Sequence, residues 1–236
     1  MNTPQRNRMQ ASSLAFLAGY VDTLGFIALF GLFTAHVTGN FILIGAALAD
    51  ASQMSILLKF LAFPAFIIGV AGGRLFIAAI ERRKGPALAL AFSLQLILLI
   101  GFMVFGLMAT PVVAPASNYA MTAGLLGTAA MGVHSAISRL LLGHLAPTSL
   151  MTGNVTQIVI DSVDVLTGAA DKSTRERCSK FFWPILSFGI GAIGAAFAYH
   201  ALGFIALMAP ILILLMLILN ERNEARRVAA APSAVS

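Results

Sequence analysis

The chain has 236 residues, of which 59% are hydrophobic and 10% charged, with a mean hydropathy of +0.91. A water-facing domain typically carries about 25% charged residues, so this composition excludes a soluble globular protein and requires an outer surface that faces lipid. The net charge of +6 and the isoelectric point near 10.1 do not mark a nucleic-acid binder, because the basic residues sit in short loops between apolar runs and form no basic patch with interleaved aromatics.

About 20 apolar residues cross a bilayer core as a helix. In chain order, six stretches reach that length: residues 14–33, 57–80, 87–109, 119–142, 181–201 and 203–220, the last two separated by a tight turn near Gly203. The first is too long for a cleaved signal peptide and is interrupted by Asp22. Two further segments, 38–50 and 151–168, are apolar but shorter or more polar; the second contains Gln157, Asp161 and Asp164. Charge decides whether these two cross. If they do not and the N-terminus is inside, thirteen of the fifteen basic residues fall on the cytoplasmic side. Lys59 alone is left outside, and Arg74 lies within a span. If both crossed, Arg82, Arg83 and Lys84 would move outside. The positive-inside rule therefore predicts six spans, both termini cytoplasmic, and a polar C-terminal tail over 221–236. Cys178, the single cysteine, has no internal disulfide partner and falls in a basic loop assigned to the reducing cytosol.

The sequence repeats. Thr34-Ala-His-Val-Thr-Gly-Asn40 is echoed by Thr148-Ser-Leu-Met-Thr-Gly-Asn154, and in the same register Ile44 and Asp50 match Ile158 and Asp164. Downstream, Pro64 and Gly69 match Pro184 and Gly189; upstream, Gly19 matches Gly132 if one residue is inserted. Each half, 11–110 and 119–220, reads as span, Thr-Gly-Asn segment, span, span. Three spans per half is odd, so the second half enters the membrane in the opposite sense. That is the mark of an inverted-topology repeat, the layout of many secondary transporters.

Gly19-Tyr-Val-Asp22, Phe33-Thr-Ala-His-Val-Thr-Gly-Asn40 and Met151-Thr-Gly-Asn-Val-Thr-Gln157 resemble the YoaK family of bacterial integral membrane proteins, a domain of unknown function, over nearly the whole chain. The resemblance implies a polytopic bundle of about six helices in the bacterial inner membrane and implies no activity. His134-Ser135 departs from the Gln-Asn pair associated with the family at that place.

Four sets of residues are candidates for function. Asp22 lies about 12 Å into the first span, by the helical rise, near the midplane. A carboxylate there costs roughly 2.5–3.5 kcal/mol on insertion scales, and so is paired, set in a cavity, or a proton or cation site. Thr38, Gly39 and Asn40, with Thr152, Gly153 and Asn154, each follow a span and precede a short apolar run. If these short helices re-enter the bilayer, their free N–H groups and positive dipole ends meet near the centre as a substrate site for an anion or carboxylate. Otherwise they are capped interfacial helices that turn the chain. His36, His134, Gln157 and Asp161 are secondary candidates, as relay groups or as satisfied polar residues. Arg74 reads as a snorkelling side chain. The four histidines and scattered carboxylates lack metal-ligand spacing, and no cofactor or enzyme motif is recognised.

The sequence therefore predicts an all-α polytopic bundle that works as a small-solute transporter or permease. A non-transporting membrane scaffold or regulatory subunit, or a channel, remains the alternative. Its expected partners are the lipid bilayer and a small molecule, with no nucleic acid; a homo-oligomer is left open.

Overall fold

The computed structural model describes residues 3–49, 56–112, 117–148 and 151–230. The matched Asp50 lies outside them. The described residues form a polytopic helix bundle without strands: α1 (Thr3–Ala28), α2 (Gly39–Ala49), α3 (Ile56–Arg82), α4 (Ala87–Met108), α5 (Asn118–Leu140), α6 (Met151–Thr167), α7 (Lys172–Leu202), a 3-10 turn (Gly203–Leu207) and α8 (Met208–Ala230).

Helix ends follow local chemistry. α7 begins at Lys172, before its apolar run, because the Asp171 carboxylate caps it, accepting from the Thr174 backbone N–H at 2.7 Å. α1 ends at Ala28, earlier than its apolar run, because Phe30 and Gly31 adopt positive φ of 54° and 78° and turn the chain back. Leu29 and Leu32 are buried in that turn, so an apolar stretch that reads as helix is a loop packed inside the bundle. Residues 221–230, expected as a polar tail, continue α8.

Five helical stretches are long and apolar enough to cross a membrane, and the fifth covers residues 173–225. It reverses direction at Gly203 (φ 58°). Arg8, near the start of α1, stacks over Trp183 of α7, while Arg6 pairs with Glu224 and Gln10 donates to Glu221 on α8. Both arms thus return to the first turns of α1. The Tyr20 hydroxyl donates to the Ala206 carbonyl at 2.9 Å and fixes the turn to the other end of α1.

Two parallel helix pairs make the core. α1 crosses α7 where Gly19 lies on the Phe188 backbone and Gly191 on the Phe16 backbone. α5 crosses α3 the same way, with Gly132 on the Phe66 backbone and Gly69 on the Ala129 backbone. Each crossing is a reciprocal pair of glycines three residues from the carbonyl the other touches. Small residues let backbones approach this closely, and dispersion then holds the pair. Gly191 fills this role on α7, whereas Gly189, the glycine matched by sequence register, has open space around it.

Candidate functional site

Each Thr-Gly-Asn loop folds back beside the helix that precedes it. The first follows α1. Asp22 sits six residues before the end of α1, about 9 Å back along the helix, and the loop returns to that depth. The Asp22 Oδ1 accepts from the Thr34 N–H at 2.7 Å and the Ala35 N–H at 2.6 Å, with longer contacts from the His36 N–H at 3.4 Å and the Thr34 hydroxyl at 3.3 Å. Its Oδ2 meets His36 Nδ1 at 2.7 Å. Asp22 is 5% exposed. Hydrogen bonds to a charged acceptor contribute about 1.5–3 kcal/mol each, so the two short amide bonds match or exceed the cost of placing the carboxylate in the span. Asp22 is thus a loop anchor through one oxygen and a histidine partner through the other.

His36 is the accessible member of the pair, its side chain 34% exposed. Its ring stands edge-on to Phe188 at 5.6 Å and near Phe33 at 6.5 Å. Phe188 is also the α7 residue whose backbone bears on Gly19. The histidine therefore rests directly on the α1–α7 crossing.

Asn40 closes this loop. Its Oδ1 accepts from the Phe33 N–H at 3.0 Å and its Nδ2 donates to the Phe33 carbonyl at 2.8 Å. The backbone N–H groups of Gly39, Asn40 and Phe41 donate to the carbonyls of His36, Val37 and Thr38, so the first amides of α2 are taken by the turn before it. Thr38 is exposed, Gly39 is partly so, and Asn40 is buried.

The second loop lies at the opposite end of the bundle and repeats the construction with different side chains. The Asn154 Nδ2 donates to the Pro147 carbonyl at 2.6 Å, seven residues back, as Asn40 does to Phe33. Thr148 stands where Thr34 stood, but a histidine holds it. His134, 1% exposed, lies six residues before the end of α5 and meets the Thr148 hydroxyl through Nε2 at 2.9 Å. Ser138 adds a contact to that hydroxyl at 3.4 Å. Behind the ring, Gln95 of α4 meets His134 Nδ1 at 3.2 Å, and its other amide atom, Oε1, is buried without a partner. Thr152 and Gly153 are exposed and Asn154 is buried.

The remaining candidates separate from both clusters. Asp161 of α6 receives Arg177 of α7 through two guanidinium nitrogens at 3.1 and 3.3 Å, and Gln157 at 3.0 Å. The Arg177 guanidinium, and after it the Gln157 amide, hold the Asp161 carboxyl below its ordinary range. The Asp171 cap is pulled down to about 2 by the Thr174 hydroxyl and amide and by Ser173. This corner docks α6 on the start of α7. Val155, Val159, Val163 and Leu166 of α6 stay exposed, an apolar face next to a polar one, as in an interfacial helix.

Sequence reasoning singled out Asp22, His36 and His134, and matched Thr34 to Thr148 without assigning either a role. It missed Gln95, although a glutamine inside an otherwise apolar 22-residue helix is a visible signal of a buried polar contact. It also missed Ser138 and Arg177.

The model of a family described as "Protein of unknown function (DUF1275)" matches residues 10–220. The chain belongs to this family. A UPF0700 transmembrane protein YoaK from Bacillus subtilis (strain 168) is 34% identical over 92 residues, a match that covers 39% of this chain and 41% of the relative. The chain thus aligns with about two-fifths of the length of that relative. No solved structure matches. This DUF1275 protein is a multi-pass membrane protein of a family whose description assigns no activity.

Proposed function

We propose that this protein is a secondary transporter of a small solute, built as a 3+3 inverted repeat in the bacterial inner membrane and coupled to protons at the Asp22–His36 pair. α1, α3, α4, α5, α7 and α8 are its six crossings. Both termini, residues 81–86 and residues 143–180 face the cytoplasm, in line with the basic asymmetry. The observation that carries the proposal is the placement of His36. It shares a proton with a buried carboxylate, is open on one side, and bears on the α1–α7 crossing through Phe188. Histidine changes charge near physiological pH, so proton uptake there alters the contact on which the crossing rests. The exposed Thr38 and half-buried Gly39, with the exposed Thr152 and Gly153, are the proposed solute contacts at the two mouths; Asn40 and Asn154 lock the loops that carry them.

The test compares cells that produce the wild type, the Asp22→Asn variant or neither, by profiling their intracellular small solutes with and without a protonophore. The proposal expects at least one solute whose level is changed by the wild type, is not changed by the Asp22→Asn variant, and loses its dependence on the wild type with the protonophore. Identical profiles for the wild type and Asp22→Asn at equal expression would overturn it. A scaffold role is the second reading. It is favoured by the Asp22 Oδ1 and the Asn40 amide, both occupied by loop backbone, and predicts those identical profiles.

A further inference from the structure

Between α3 and α5, near the basic end of the bundle, lies a groove of about 450 Å³ lined by Phe66, Val70, Arg74, Ala136, Arg139 and Leu140. Two guanidinium groups face it and no carboxylate lines it. Both arginines are exposed. Glu81 reaches Arg74 only at 3.9 Å, which leaves most of its five donors available. Arg74 stands eight residues before Arg82 at the end of α3, about 12 Å back into the apolar helix, where an arginine so weakly paired is costly. The outer faces of both helices beside the groove are apolar, with Ile67, Leu75 and Leu140 exposed. The groove therefore combines a two-arginine head and an apolar wall, and it opens towards the lipid.

We propose that this groove binds one anionic phospholipid of the leaflet bordering the basic end. The phosphate lies between Arg74 and Arg139, where planar guanidinium groups suit phosphate oxygens, and an acyl chain runs along Phe66, Val70 and Leu140. A free phosphate satisfies the arginines and leaves the apolar wall empty, so charge and wall together select the lipid. Basic pockets between membrane helices are suited to anionic headgroups in this way. This site is independent of the transport reading.

The test is lipid titration of the full-length protein, purified in a neutral detergent, read by native mass spectrometry. The lipids are phosphatidylglycerol and phosphatidylcholine, and inorganic phosphate serves as a competitor. The expected result is binding of phosphatidylglycerol and not phosphatidylcholine, without displacement by inorganic phosphate. Arg74→Gln and Arg139→Gln each weaken binding about five-fold and together about thirty-fold. Arg82→Gln with Arg83→Gln, outside the groove, leaves binding unchanged. The Arg74→Lys, Arg139→Lys pair keeps both charges, retains most of the binding and reports that the groove still folds. Equal binding of both lipids, displacement by phosphate, full affinity in the double glutamine variant, or equal loss in the Arg82/Arg83 variant would each overturn the proposal.

Discussion

Asp22 combines two tasks that substitution separates. In Asp22→Asn the amide oxygen still accepts from the Thr34 and Ala35 N–H groups, so the loop keeps its anchor while the charge facing His36 is lost. Asp22→Ala removes the acceptor and leaves two buried N–H groups unmade, at about 1–3 kcal/mol each. We expect Asp22→Asn to elute as wild type on size exclusion and to lose protonophore-sensitive function, whereas Asp22→Ala unfolds at clearly lower temperature. Asn40 and Asn154 are loop locks. Asn40→Ala strips both Phe33 backbone groups of their partner, and Asn154→Ala, among the described residues, strips the Pro147 carbonyl and a weak contact to the Met151 sulfur. Thermal unfolding in detergent should fall in both, by more for Asn40→Ala. The motifs were legible from their repetition, but the partners of their threonines were not. Gly19 and Gly132 place Ser135 opposite Asp22 in register, yet the side chain that holds Thr148 comes from His134, one position earlier, because the second half grips its loop with an imidazole backed by Gln95.

Elements differ in how far composition revealed them. α3, α4 and α5 fall within two residues of their expected ends, since Arg82, Pro86 and Leu140 mark where apolar helix gives way to loop. α1 and α7 do not, because hydropathy cannot tell a buried loop from a helix, nor see a capped polar turn ahead of an apolar run. Packing makes a sharper test. Alanine at Gly19, Gly69, Gly132 or Gly191 drives a methyl into a facing backbone that no rotamer change relieves. Overpacking of this kind costs about 1–3 kcal/mol. Alanine at Gly72, Gly189 or Gly194 meets open space and should be neutral or slightly stabilising through helix propensity. Thermal unfolding of the seven variants checks the division. The α6–α7 corner should respond to acid. Asp161 and Asp171 have depressed carboxyls in the folded protein, so their contribution is complete above the ordinary carboxylate value and is lost as pH falls towards the Asp171 value of about 2. Emission from Trp183, the single tryptophan and a resident of α7, should change as pH falls below about 5. Asp171→Asn should remove part of that change.

At the scale of the molecule, three features recur between the halves: the reciprocal glycine crossing, the asparagine lock seven residues long, and a polar side chain six residues before a helix end that grips a threonine. The placing of α1 on α7 and of α5 on α3 through such glycine contacts supports the proposed inverted repeat. The halves are not identical in state: His36 is open while His134 is sealed. In an inverted repeat, exchange of the two arrangements moves access from one face to the other. The central claim is that the two motif loops face opposite sides of the membrane, and Thr38 and Thr152, both exposed, report on it directly. With Cys178 replaced by serine, Thr38→Cys and Thr152→Cys are treated with an impermeant maleimide in intact cells and in inside-out vesicles. The account predicts that Thr38→Cys labels in intact cells and Thr152→Cys only in inside-out vesicles. Labelling of both from the same side would contradict it.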